Sequence, residues 1–478
     1  HDLNMFDLAK KCGLEALKIL KVNFPTRASG VRHELKQERK RRRPHSRDPD
    51  PVGLSRDVSV ILTCKNACLC YSYLWRVFDN EGDRHRTHLA GVRMVNSMED
   101  GFTDRDTDLG DLLHVYSAMM EICLRHGRAA EGRQIEVLSL LQLEGMDSGR
   151  RRPEDVIGVG RLEITIFKTR LMSGKLSEAA LAGRKAWGIL SQIHDVEGSL
   201  QFLPLLNQVL LSCEDITNCI TVLRRIKMDS DSIKSEEGLF WYYSGCLDVH
   251  LEYGTPIEPA DTVLEFVAQR NVIGRPADKE GTARYFLACC LALWHARTGD
   301  TAWSLRWYHV VKDCKVDNSF FVLKGQLKVQ EAMQIVAACR DNEIGESKNC
   351  LTKARKICKY LKHCPYLAGC LKPRLYHLKC HLYLMLGQLK KFMKALPNVV
   401  QTMRAQGNIL EYNWFRYNCR VWCDIDVQKT DFWIKHCRKS YSEYQELVNK
   451  EDKPILYYAL PAKTSLKDQS DMVYKHFL

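Results

Sequence analysis

Six residues able to ligate a metal crowd one stretch of the chain: His363, Cys364, Cys370, His377, Cys380 and His381. Imidazoles and thiolates hold zinc when four of them converge tetrahedrally, and structural sites usually draw them from paired Cys-x-x-Cys elements at turns. That arrangement is missing here. His377 and Cys380 lie three apart inside an apolar helical pattern, which predicts packing residues rather than ligands. Cys64 and Cys68 share a helix face, as do Cys419 and Cys423. Twenty cysteines in 478 residues, scattered along helical faces, read as small buried apolar side chains rather than a disulfide framework. No metal ligand is assigned.

Other chemistry is equally sparse. Gly158-Val-Gly160 is too short for a dinucleotide fingerprint and follows no strand, so a helix boundary is expected there. The chain contains no G-x-x-x-x-G-K-[ST] phosphate loop, no H-E-x-x-H helix, no G-x-S-x-G elbow and no kinase motif set. Carboxylates are abundant, but no strand scaffold singles out an acid–base pair. No catalytic residue and no cofactor-binding residue is assigned, and no cofactor is expected in this chain.

The net charge of +13 invites a nucleic-acid reading until its distribution is inspected. Much of the excess is the run Lys36-Gln-Glu-Arg-Lys-Arg-Arg-Arg43-Pro44-His-Ser-Arg47, followed by Asp48-Pro-Asp-Pro51; Arg150-Arg-Arg152-Pro153 is a shorter cluster. Such a run can bind phosphate, an acidic partner or an import receptor. The reading favoured is a solvated linker between helices. No aromatics are interleaved with the basic residues to stack bases, which argues against direct nucleic-acid binding.

The elements that would have to position any site are helical. In Phe167–Trp187 an apolar helix ends near Met172, Gly174 can adopt the left-handed conformation that closes it, and Ser177 can cap the next helix. Ala179 and Ala186 then share a face on which a paired helix can approach closely. Comparable turns fall at Gly82, Gly127, Gly174, Cys213, Gly254, Gly299, Gly345 and Gly387, in steps of 39 to 47 residues. A last pair, Tyr412–Cys423 and Asp431–Val448, would turn at Asp424–Thr430. Near-constant spacing over most of the chain predicts a stacked helical array, an all-α, tetratricopeptide-like solenoid of eight or nine hairpins.

The expected organisation is a helical segment over 1–35, a basic Pro-containing linker over 36–57, the repeat array over 58–448 and a C-terminal tail over 449–478. No stretch of 18 apolar residues and no signal-peptide start is present, so a cytoplasmic protein without a transmembrane segment is expected. The chain opens on His1 and is already amphipathic over Met5–Leu20, which suggests a piece of a longer protein.

Three stretches carry a resemblance. Gly13-Leu-Glu-Ala-Leu-Lys-Ile-Leu-Lys-Val-Asn-Phe-Pro25 with the basic stretch after it, Ala67–Asp83 followed by Leu89–Glu99 with Asn96 and Glu99 near the end of the second helix, and the glycine-centred hairpins through Gly127 and Gly174 resemble the C-terminal tetratricopeptide-like region of the soluble, bicarbonate-responsive adenylyl cyclases. The resemblance runs from about Leu14 to about Tyr444. It implies a non-catalytic regulatory or scaffolding region whose parent converts ATP to cyclic AMP. ATP and a divalent metal are implied only for that absent catalytic part, and no catalytic, metal, bicarbonate or ATP residue carries over. The partners implied are proteins or the parent's own catalytic domains. A stand-alone tetratricopeptide-like adaptor is the alternative, and a nucleic-acid-associated helical repeat is the weaker third.

Overall fold

The computed structural model describes residues 2–45, 57–102, 105–144, 153–253, 257–270, 281–314, 319–339, 344–363, 369–424, 460–462 and 465–477. Among them are twenty α-helices and no strand. The protein is all-α, as the periodicity requires. The helices are α1 (Asp2–Ile19), α2 (Ala28–His45), α3 (Val58–Asn80), α4 (Arg84–Asp100), α5 (Arg105–Arg125), α6 (Ala129–Glu144), α7 (Pro153–Met172), α8 (Leu176–Gln192), α9 (Val196–Ser212) and α10 (Ile216–Ile233). They continue as α11 (Glu236–Tyr253), α12 (Ala260–Gln269), α13 (Gly281–Thr298), α14 (Thr301–Asp313), α15 (Phe320–Cys339), α16 (Ile344–His363), α17 (Lys372–Met385), α18 (Leu389–Gln406), α19 (Ile409–Trp422) and the short α20 (Ser470–Tyr474).

One turn design recurs. At Gly82, φ +74°, the Asp83 N–H donates to the Phe78 carbonyl (2.9 Å) and the Gly82 N–H to the Asp79 carbonyl (3.0 Å), which satisfies the orphan carbonyls of α3. The Asp83 carboxylate then accepts from the Arg86 N–H (3.0 Å) and caps α4. A left-handed residue followed by a capping Asp therefore reverses the chain in two residues. Gly127, Gly174, Gly299 and Gly387 also carry positive φ. At the fourth turn the left-handed position is Glu214, φ +59°, one past Cys213, and Asp215 caps α10.

Several expectations change. Gly345 is not a turn: it lies in the first turn of α16, which starts at Ile344. Residues 340–343, which precede it, lie outside the described residues, as does Gly254. Gly158 and Gly160 form no helix boundary but lie inside α7. A methyl group on Gly158 would meet the Gly110 backbone at 3.0 Å, and one on Gly160 would meet Ile189 at 2.9 Å, so both glycines permit close helix crossings. The basic run is helical as far as His45, the end of α2. Residues 46–56, Arg150–Arg152, the Asp431–Val448 helix and its turn beyond Asp424 lie outside the described residues. Of the tail, Leu460, Leu466, Val473 and Phe477 are buried.

The chain divides into two compact units, His1–Arg170 with Leu181–His194, and Leu171–Ala180 with Asp195–Leu478. In unit 1, α1 packs on α3, α2 on α4, and α3 through α6 pack successively. Phe24 stacks on Phe78 with ring centroids 5.4 Å apart, holding the segment before α2 against α3. Ala179 and Ala186, placed on one face of α8 by their spacing, are wholly buried.

In unit 2 the odd-numbered helices form an inner layer. α9 packs on α11, α11 on α13, α13 on α15, α15 on α17, α17 on α19, and α19 returns to α9. The even-numbered helices α10, α14, α16 and α18 pack outside them. The inner layer is a closed ring of six helices.

Candidate functional site

Long apolar helices explain the ring but not what fills it. Five charged residues stand at helical spacing on largely buried helices: Asp248 and Glu252 on α11, and Lys324, Lys328 and Glu331 on α15. Spacings of three and four put each set on one helix face. They meet at the centre of the ring with Arg297 from α13, Arg374 from α17 and Glu411 from α19. Four carboxylates thus face four cations.

The geometry is dense. Lys324 Nζ donates to Asp248 Oδ2 (2.8 Å) and Lys328 Nζ to Glu252 Oε1 (3.1 Å). Arg374 reaches three helices: Nε donates to Glu411 Oε2 (2.6 Å), Nη1 to Glu331 Oε2 (2.9 Å) and Nη2 to Glu252 Oε2. Arg297 donates to Glu331 and to the Leu251 carbonyl, and its guanidinium stands 5.3 Å from the Trp414 ring centroid. Trp414 Nε1 in turn donates to the Glu252 carbonyl (3.2 Å), and Asn413 Nδ2 to Glu214 Oε1 (2.8 Å), tying α19 back to α11 and to the turn after α9.

Neighbouring charges set the protonation of the buried acids against the effect of burial. Desolvation by itself would raise the Glu252 carboxyl, but Arg374, Lys328, Lys324 and Arg297 outweigh it and hold the group below the ordinary carboxylate range. Glu331 is lowered against the same desolvation by Arg297 and Arg374, and Asp248 by Lys324 and Lys328. Lys328 is raised, because Asp248 and Glu252 overcome its desolvation. Asp248, Glu252, Glu331 and Lys328 are thus held in their charged forms, so none of these four is poised near neutrality as a general acid or base. The space left beside Glu252, Lys324, Glu331 and Arg374 is about 40 Å³. That admits water and excludes a peptide or a cofactor. At this point of the inner face the ion pairs leave no groove for a partner.

The Cys/His stretch is dispersed by the fold. His363 ends α16, Cys364 lies outside the described residues, Cys370 sits in a 3₁₀ turn (Gly369–Leu371), and His377, Cys380 and His381 lie on α17. The Leu460 N–H donates to Asn418 Oδ1 (2.8 Å), which orients that amide so that Nδ2 donates to His377 Nε2 (3.0 Å) and leaves His377 Nδ1–H for Glu411. His381 faces Gln334 Oε1 and the Pro461 carbonyl (2.9 Å), and burial pushes it down to about 4. Cys370 and Cys380 are pushed up to about 12 by desolvation, so both remain thiols. Among the described residues no group of His, Cys, Asp or Glu could hold a metal. The remaining tail closes this end of the ring: Trp422 Nε1 donates to the Leu460 carbonyl (2.7 Å) and Arg404 Nη2 to the Phe477 carbonyl (2.9 Å).

In unit 1, Asn96 and Glu99 are both buried on α4. Asn96 Nδ2 donates to Glu38 Oε2 (2.8 Å) and Glu99 accepts from the Tyr116 hydroxyl (2.9 Å), so the pair links α2, α4 and α5. Arg93 lies between Glu34 and Glu38 of α2. Among the described residues no helix is long and apolar enough to cross a membrane.

The chain is 21% identical over 436 residues to adenylate cyclase type 10 of Homo sapiens, and 21% identical over 441 residues to that of Mus musculus. Each match covers 90% of this chain and 26% of the relative, in the relative's C-terminal region. The chain spans about a quarter of the length of the curated relatives it matches. No family model matches it.

Proposed function

We propose that this chain is the non-catalytic regulatory and scaffolding C-terminal region of a soluble adenylyl cyclase-like enzyme, whose other domains convert ATP to cyclic AMP. The observation that carries this reading is the match over nine-tenths of the chain to the C-terminal quarter of proteins called adenylate cyclase. The interior of unit 2 agrees with it. Its acidic side chains are spent on fixed ion pairs, which suits a rigid tetratricopeptide-like body that holds other domains and does no chemistry of its own. With that centre filled, contact with the catalytic domains or with other proteins falls to outer helix faces and to unit 1.

The test assays cyclic AMP formation from ATP, with magnesium or manganese, for this chain alone and for the parent with and without it. A silent chain whose removal changes the parent's rate, bicarbonate response or localisation supports the reading. Activity in the isolated chain, or a parent indifferent to its removal, refutes it; a reading frame without cyclase domains would favour a stand-alone adaptor.

A further inference from the structure

The cations of α2 do not all serve the fold. Glu34 and Glu38 pair with Arg93, and Arg41 with Asp100. On another face, Arg32, Lys36, Arg39 and Lys40 recur at helical spacing and open into a concavity of about 550 Å³, closed by His85 of α4 and Arg128 at the start of α6. Five formal positive charges meet there. Glu131 is the carboxylate that answers them: Arg128 Nε lies 3.0 Å and Arg39 Nη2 3.4 Å from its Oε2, while His88 takes Oε1 (3.0 Å). Arg32, Lys36 and Lys40 have no acidic partner among the described residues, and Arg39 Nε is buried without a hydrogen bond.

We propose that this concavity binds a compact, multiply phosphorylated anion, a polyol polyphosphate either free or as the headgroup of a phosphoinositide. Like charges gathered in a hollow repel one another, and an anion carrying several phosphates relieves that repulsion while accepting charge-assisted hydrogen bonds from lysine and arginine. The volume lies within the usual range for small ligands, roughly 300–1,000 Å³. The lining holds no Phe, Tyr or Trp on which a nucleobase could stack. The cations converge on one hollow rather than following a track, which disfavours an extended nucleic acid or acidic peptide. The walls are mostly the apolar stems of these Arg and Lys side chains beside the buried Leu35, with the flexible charged ends at the rim, where they can close on an anion.

Calorimetry of the whole chain with inositol hexakisphosphate, and sedimentation with phosphatidylcholine vesicles with or without phosphatidylinositol bisphosphate, tests this. Saturable, salt-sensitive binding is expected, and the arm that binds more tightly identifies the source. Lys36→Glu with Lys40→Glu should weaken it at least about tenfold at an unchanged melting temperature, because both side chains are exposed and unpaired. Lys348→Glu with Lys356→Glu, exposed on α16, makes the same change in net charge and should have no effect. The proposal fails if neither probe binds saturably, if both double variants weaken binding equally, or if single-stranded RNA competes more strongly than the polyphosphate.

Discussion

At the centre of unit 2, four acidic and four basic side chains from five helices neutralise one another with little exposure to water. In unit 1, α2 carries four cations into a hollow that a fifth joins and one carboxylate answers. The first set is worth little as a gain over an apolar core, because desolvating the ions offsets their attraction, but it is very costly to leave incomplete. It therefore specifies which helices meet: a ring closed with α19 in the wrong register would strand Arg374 or Glu252 without a partner. The second set is solvated, so its imbalance is tolerable to the fold and available to a ligand. Charge acts as a structural constraint in one unit and as an open valence in the other.

The largest effect should come from breaking the buried set. Glu331→Gln leaves Arg297 and Arg374 under-neutralised at 1% and 15% side-chain exposure, and should lower unfolding stability by about 3–5 kcal/mol in urea titrations. Arg41→Ala removes an exposed pair with Asp100, at 53% and 36% exposure, and should cost below about 1 kcal/mol. Equal costs would abolish the contrast between the units.

Acidification should sharpen the same contrast. His381 has its folded value near 4 and an unfolded value near 6.5, so between those values the unfolded chain binds more protons and stability falls as pH falls. The loss approaches about 3 kcal/mol by pH 4. Desolvation outweighs the Pro461 carbonyl and the Glu331 carboxylate, which oppose the lowering, while His377 adds to it. The lowered Asp248, Glu252 and Glu331 carry stability that is lost only below the ordinary carboxylate range, so the histidine step comes first. His114, His126 and His295 are also lowered by burial, without a comparably large shift, so His381→Gln should shrink the step between pH 6.5 and 4; an unchanged profile would assign it to those three.

An apolar close contact should respond less strongly than a buried charge. Ala186→Leu puts three extra carbons into a site with no exposed surface, at about 1–3 kcal/mol by overpacking. A cost above that of Glu331→Gln would mean that small-residue spacing constrains the array more than its ion pairs do.

How much of this could be read from the chain depends on range. The turns at Gly82, Gly127, Gly174, Gly299 and Gly387 rest on local backbone chemistry, and glycine announces them. His194 and Glu214 take the same conformation without a glycine, so the signal that marks them is the Asp one residue later, at Asp195 and Asp215. The ionic centre was not legible, because Asp248, Arg297, Lys324, Arg374 and Glu411 lie on five helices and no pairing among them is local. A trace of it was present in the stripes Asp248–Glu252 and Lys324–Lys328–Glu331, charges at helical spacing on largely buried helices. The run Lys36–Arg43 misled for the opposite reason: charge density suggests a loop, whereas Val31 and Leu35, both buried, anchor a helix.

The smallest effect has the opposite sign and measures the turns themselves. His194 sits at φ +53° with its side chain exposed, between α8 and Asp195, whose carboxylate caps α9 through the Gly198 N–H (2.8 Å). A residue with a Cβ pays a steric penalty in the left-handed region that glycine avoids, while glycine has more conformational freedom to lose on folding. At positive φ the steric term outweighs the entropic one, so His194→Gly should stabilise the chain by about 0.4–1 kcal/mol. Lys234, φ +53° and also exposed, should behave alike. A rise in the urea midpoint of either variant at constant slope is the expected result. A fall would mean that these side chains make contacts worth more than the strain, and that turns without glycine are held by something other than the capping side chain one residue later, Asp195 after His194 and Ser235 after Lys234.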